Sequence, residues 1–156
     1  MNNNLVKIDI VDDKSLLNAC DILHDGYFDL STVKYDENAG TWRASFEREF
    51  FEDPELMTFK PKLLFFHKVS FPMAISALSL DGIKSYKIED KSNIQIYSFN
   101  ECQIKKEIYK FYFNEDLELI FTFGDLPKGS LTDQKLLDKK GSLYKWKNPF
   151  KKINNC

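Results

Sequence analysis

The sequence predicts a mainly β (α+β) chain: an antiparallel β-sandwich or half-open, barrel-like meander of about eight strands with one N-terminal amphipathic helix. Three observations carry this expectation. Turn signals such as Asn38-Ala39-Gly40, Asp81-Gly82 and Asn114-Glu115-Asp116 recur every eight to twelve residues or so, between short runs of alternating apolar and polar side chains. Aromatic residues make up 15% of the chain, mostly as 14 Phe and 7 Tyr, and these fit a pleated surface better than a helix. Finally, only one stretch has helical periodicity, so no second helix is available for the crossovers that parallel strands require.

The elements follow in order. Residues 1–4 are expected to be a disordered tail, as are residues 151–156. Leu5–Val11 alternates at Val6, Ile8 and Ile10, which fits a short strand or an extended lead-in. Asp12-Asp13 offers an N-cap, and Leu16, Leu17, Cys20 and Leu23 then recur at three- to four-residue spacing. With Gly26 positioned as a stop, this predicts a helix over 13–25.

Phe28–Tyr35 and Thr41–Phe50 read as a hairpin around the permissive Asn–Ala–Gly turn. In its second strand Trp42, Ala44 and Phe46 share one face, and Arg43, Ser45, Glu47 and Glu49 the other. Residues 51–61, with Pro54 and Pro61, predict a loop or one helical turn. Leu63–Phe66, apolar on both faces, predicts a central strand, which 71–80 either continues or follows after a break at Pro72. Beyond a turn at Asp81-Gly82, strands are expected at 85–89, 94–104, 108–113 and 117–123, the last two forming a tight hairpin. Pro127 and Gly129 break the pattern, and a final pair at 131–138 and 142–146 is joined through Asp138–Gly141.

At 156 residues the chain has the length of a single domain, 1–156, able to bury a core without disulfide or metal staples. Net charge is −2 with both signs interspersed. The basic footprint of a nucleic-acid binder is absent, so no nucleic-acid partner is expected. The lysines at 139, 140, 145, 147, 151 and 152 read as a solvated tail, with contact to an anionic surface as the alternative. No apolar run reaches membrane-spanning length and no leader pattern opens the sequence, so neither a membrane nor an export route is expected. Three cysteines, Cys20, Cys102 and Cys156, lack metal-type spacing and point to free thiols in a reducing cytoplasm.

Motifs for chemistry are few. The six glycines are scattered, excluding a dinucleotide fingerprint or a P-loop, and neither a nucleophile elbow nor a zinc ligand set can be written. No cofactor is expected. Cys20 and His24 fall four apart on one helical face, enough for a buried thiol beside a helix-end histidine but not for a site. His67, among Phe65, Phe66 and Val69, is either a core histidine satisfied by a carbonyl or a titrating group lining a pocket.

Arg48 is the most unusual residue, because alternation puts it on the apolar Trp42–Ala44–Phe46 face. Either the strand has left the sheet by residue 48, or Arg48 sits in a cavity, facing an acid or gripping an anionic ligand with its planar fork. Three function classes follow. The first is a non-catalytic interaction module, binding a protein partner or its own copy through a sheet face or edge. The second is a small-ligand β cavity with Arg48 and His67 as its polar groups. The third is an enzyme of unknown class, for which His24, His67, Cys20 and Arg48 are the only candidates.

Overall fold

The computed structural model describes residues 5–63 and 66–146. The expected terminal tails, Cys156 and most of the lysine cluster's side chains lie outside what is described. In chain order the elements are β1 (Lys7–Ile10), α1 (Asp13–Leu23), β2 (Tyr27–Asp29), β3 (Lys34–Asp36), β4 (Thr41–Glu49), β5 (Thr58–Leu63), β6 (Phe66–Asp90), β7 (Ile96–Lys105), β8 (Ile108–Phe113) and β9 (Leu117–Trp146). Short 3-10 turns occupy Leu30–Thr32 and Pro54–Leu56.

All nine strands among the described residues belong to one antiparallel sheet. β9, β8, β7, β2, β4 and β6 pair in that order, and β6 then pairs with β9, so six strands close a ring. β1 adds to β9, β3 to β4 and β5 to β6 outside that ring. The architecture is therefore the barrel-like alternative rather than two stacked sheets. Its interior is a packed aromatic core built from alternate residues of each strand. Trp42 and Phe46 come from β4, Phe99 from β7, Phe111 and Phe113 from β8, and Leu119 and Phe121 from β9. Edge-to-face contacts such as Trp42–Phe121, with centroids 5.3 Å apart, and Phe99–Phe113, at 5.2 Å, fill the space as aromatic quadrupoles favour.

The helix is one residue pair shorter than the sequence suggests. It ends at Leu23, and the left-handed position that stops it belongs to Asp25 (φ 61°), not to Gly26. At its start Asp12 accepts from the Ser15 amide at 2.7 Å, while Ser15 Oγ accepts from the Asp12 amide at 3.0 Å. Leu16, Ala19, Cys20 and Leu23 face inwards, so α1 closes one end of the barrel against β1, β7 and β9. The Tyr109 hydroxyl donates to Asp13 at 2.7 Å and ties the first helical turn to β8.

The largest departure from expectation is in the long strands. Asp81-Gly82 is not a turn: β6 runs 25 residues straight through it, and β9 runs 30 residues through Pro127 and Gly129. The two pair along nearly their whole length, so 131–138 and 142–146 are consecutive parts of β9, not a hairpin. Local glycines bend the pair without ending it. Gly82, at φ +77°, supplies a kink that side chains resist, beside a register shift between Asp81 and Ile83. Gly129 has φ +152°, and a Cβ there would meet the Ser79 carbonyl oxygen at 1.9 Å. Two strands that close need a residue without a side chain. Leu63–Phe66 likewise is not one central strand, because β5 ends at Leu63, β6 begins at Phe66, and these two residues pair with each other. The first hairpin is also subdivided: β3 pairs with residues 41–43 of β4, β2 with 46–47, and the 3-10 turn at Leu30–Thr32 lies between.

Candidate functional site

Alternation continues along β4 as the sequence requires, and Arg48 remains in the sheet, paired with Ala74 and pointing inwards at 2% exposure. Of the alternatives for this residue, facing an acid describes its surroundings. Nε donates to Ser76 Oγ at 3.0 Å and to Asp133 Oδ1 at 3.3 Å; Nη2 donates to Asp133 Oδ2 at 2.7 Å. Nη1 reaches the Glu49 carbonyl at 3.0 Å and Glu52 Oε1 at 2.7 Å, and the guanidinium lies 5.5 Å from the Phe50 ring centroid. Ser76 Oγ also donates to Asp133 Oδ1 at 2.5 Å. The fork is thus filled by protein acceptors, and an anionic ligand would have to displace a carboxylate to use it.

The same carboxylate holds the N-terminal segment. The Val6 amide donates to Asp133 Oδ2 at 2.9 Å, and the Asp133 amide donates to the Val6 carbonyl at 2.9 Å. One buried cluster therefore ties together the end of β4, the middle of β6, the middle of β9 and the chain entering β1. Asp133 and Ser76 were both missed from sequence, although a signal existed. Asp133 follows Leu131 by two residues and Ser76 precedes Leu78 by two, so each falls on a core face by the same alternation that marked Arg48. An acid on the inward face of a strand was the partner that a buried arginine demands.

His67 is half-buried on β6, opposite Pro61 and Lys145. It stands seven residues from Ala74, the partner of Arg48, which is about 23 Å along an extended strand. The structure does not bring these two residues together. Cys20 and His24 also diverge. His24 has left the helix and faces Asp25 at 3.2 Å with its side chain 54% exposed, whereas Cys20 is buried beside Cys102 of β7. A hydrogen bond with Cys102, followed by burial, pushes the Cys20 thiol well above its ordinary pKa, the opposite of an activated nucleophile. No group of three or more His, Cys, Asp and Glu residues is placed to hold a metal ion among the described residues.

Shallow depressions lie on the outer wall. Among those lined by described residues, one of about 270 Å³ is bordered by Tyr27, Asp29, Glu47, Ile75 and Ile96, and another of about 190 Å³ by Gln103, Lys105, Ile108, Lys110 and Tyr112. Neither includes Arg48 or His67. No described helix is long and apolar enough to cross a membrane.

A different feature emerges where the ring opens. β4 covers β6 only as far as Asp81, and the last main-chain bond on that side runs from the Ile83 amide to the Gly40 carbonyl at 3.0 Å. From Lys84 to Asp90, β6 pairs with β9 alone, and its other edge meets no strand among the described residues. On the inward face of this segment Tyr86 packs against Tyr35 (centroids 5.1 Å apart) and stacks on Phe121, also at 5.1 Å. Next on that face is Ile88, 41% exposed. Lys87 and Glu89 alternate on the outward face and form an ion pair with each other. The Tyr86 hydroxyl and the Trp42 indole N–H are buried without a hydrogen-bond partner. Burial pushes Tyr86 up to about 12, while the neighbouring Trp42 N–H acts on the hydroxyl in the opposite direction without reaching hydrogen-bond geometry.

Comparison with known proteins places no family beside this geometry: no family model, no curated protein and no solved structure matches the chain.

Proposed function

We propose that this chain is a non-catalytic interaction module that receives an extended strand of a protein partner along the open edge of β6. The observation that carries this reading is the edge from Lys84 to Asp90, which pairs with no strand among the described residues and is bordered by the half-exposed Ile88. Such an edge presents a row of backbone donors and acceptors whose natural complement is another strand. Main-chain bonds would supply affinity, and the apolar ledge of Tyr86 and Ile88 would select side chains on the incoming strand. The cluster around Arg48 then acts as scaffolding, holding β4, β6 and β9 in register so that the far half of β6 projects beyond the closed ring.

The test is site-specific photocrosslinking in cells from position 88, with Leu126, 51% exposed on the bulged part of β9, as the control position. A discrete adduct from 88 that is absent from 126 is expected. No adduct from 88, or the same adducts from both positions, refutes the reading.

A further inference from the structure

The partner that the β6 edge fits best is a second copy of the same edge. We infer that two chains pair antiparallel through Lys84–Asp90 about a two-fold axis at Ile88; this rests on the reading of that edge as a docking surface.

Symmetry and charge restrict how two such edges can pair. A two-fold axis normal to an antiparallel strand pair passes between a residue and its own copy, and residues opposite each other share a face. The axis therefore has few places to fall. At Lys87 or Glu89 it sets a charge directly against itself, which is unfavourable across a strand pair. At Ile88 it sets an apolar, 41% exposed side chain against its copy. The same register places Lys87 opposite the second copy's Glu89, and Glu89 opposite its Lys87, giving two opposite-charge pairs on the outward face. Tyr86 falls opposite Asp90, and Ser85 opposite Lys91. The strand is basic at its start (Lys84, Lys87) and acidic at its end (Glu89, Asp90); an antiparallel copy brings those halves together, whereas a parallel copy in register would set each charge against itself. Lysines that merely blunt an edge need no such acidic counterparts. Pairing would also cover Ile88, where the inward face runs out past the closed part of the ring.

The experiment is sedimentation equilibrium on the full chain and its charge variants. The wild-type protein is expected to dimerise. Lys87→Glu and Glu89→Lys should each weaken the dimer about tenfold or more, because each places like charges opposite one another twice. An equimolar mixture of these two variants should regain association as a heterodimer, and so should the double variant K87E/E89K as a homodimer. Positions 87 and 89 are outward-facing, and unchanged circular dichroism would show that the fold is intact.

A wild-type monomer at every accessible concentration overturns the inference, as does a mixture that associates no better than its components. Hydrogen exchange of the alternate amides within 84–90 that face away from β9 separates this failure from failure of the functional reading. A monomer with fast exchange at those amides leaves the edge open for a different chain, so only self-pairing falls. A monomer in which they are protected means that the edge is covered by its own chain, and both readings fall.

Discussion

Replacing Asp133 by Asn removes one unit of charge and almost no volume, and so isolates what the buried cluster contributes. The Asp133 side chain is fully enclosed, and its two oxygens take four donors: Arg48 Nε and Nη2, Ser76 Oγ and the Val6 amide. An asparagine offers one acceptor oxygen and turns an NH₂ group towards donors that have nothing to receive. Arg48, at 2% exposure, would keep its charge with Glu52 as the remaining carboxylate, and Glu52 is the outer partner, with its side chain 29% exposed. Breaking a buried pair in this way costs about 3–5 kcal/mol, since an uncompensated charge stays in the interior. Against a total stability of about 5–15 kcal/mol that is a large fraction. With a urea dependence of about 2 kcal/mol per molar, the midpoint should fall by about 2 M. Urea titration followed by Trp fluorescence reads this directly. Arg48→Met with Asp133→Leu should cost far less than the sum of its single changes, because it removes both charges together. A loss below about 1 kcal/mol for Asp133→Asn would refute the assignment of the cluster as the register lock of the barrel.

Other consequences are simpler. Tyr86→Phe should leave stability unchanged or raise it by about 1 kcal/mol, since it deletes a buried hydroxyl without a partner and keeps the ring stacked on Phe121; thermal melting checks this. Tyr86 and Tyr109 are both pushed up to about 12, chiefly by burial, so the folded state holds these two protons longer than the unfolded chain. Their stabilisation is complete below the unfolded tyrosine value near 10 and is lost as pH rises from there to about 12; tyrosinate absorbance of wild type against Tyr86→Phe and Tyr109→Phe should show both residues titrating late, followed by cooperative unfolding. Gly129→Ala should cost more than about 2 kcal/mol, because the Ser79 carbonyl and the positive φ both exclude a methyl group, and the denaturation midpoint reports it. The Cys20 thiol should resist alkylation until the protein unfolds, as pulsed labelling with mass mapping would reveal.

The parts of this fold legible in the sequence were those written in local periodicity. The inward faces of β4, β8 and β9 follow from alternation at Trp42–Phe46, Tyr109–Phe113 and Leu117–Phe123, each with a side chain every second residue against one core. The helix followed from Asp12 and the Leu16–Leu23 stripe, with its end misplaced because an Asp, rather than the nearby Gly, takes the left-handed position. What failed to read was strand length. Asp81-Gly82 and Pro127–Gly129 carry the composition of turns, and as isolated segments they would reverse the chain. Here each lies opposite the other in a long antiparallel pair, with Asp81 paired to Lys128 and Leu80 to Gly129, so both irregularities coincide and the pair bends as one ribbon. That coincidence is a tertiary fact with no trace in either segment alone. The Arg48 site was half legible for the same reason: its inward direction is local, whereas its partner Asp133 lies 85 residues away.

The bend explains why a locked cluster and an open edge occur on one strand. From Met73 to Asp81, β6 has β4 on one side and β9 on the other, and the Arg48–Asp133–Ser76 contacts join all three strands across that region. Past Gly82 the strand changes direction while β4 has already begun at Thr41, so no strand among the described residues flanks it on that side. β3 cannot fill the gap, because it pairs with the opposite side of β4. The exposed edge is therefore a consequence of topology, not of local sequence weakness: Lys84–Asp90 is paired with β9 on one side and, among the described residues, with no strand on the other. A strand fixed in this way loses little further conformational entropy when a second strand adds to it. This is the physical reason to look for binding at the strand-paired far half of β6 and not at the loops that surround it.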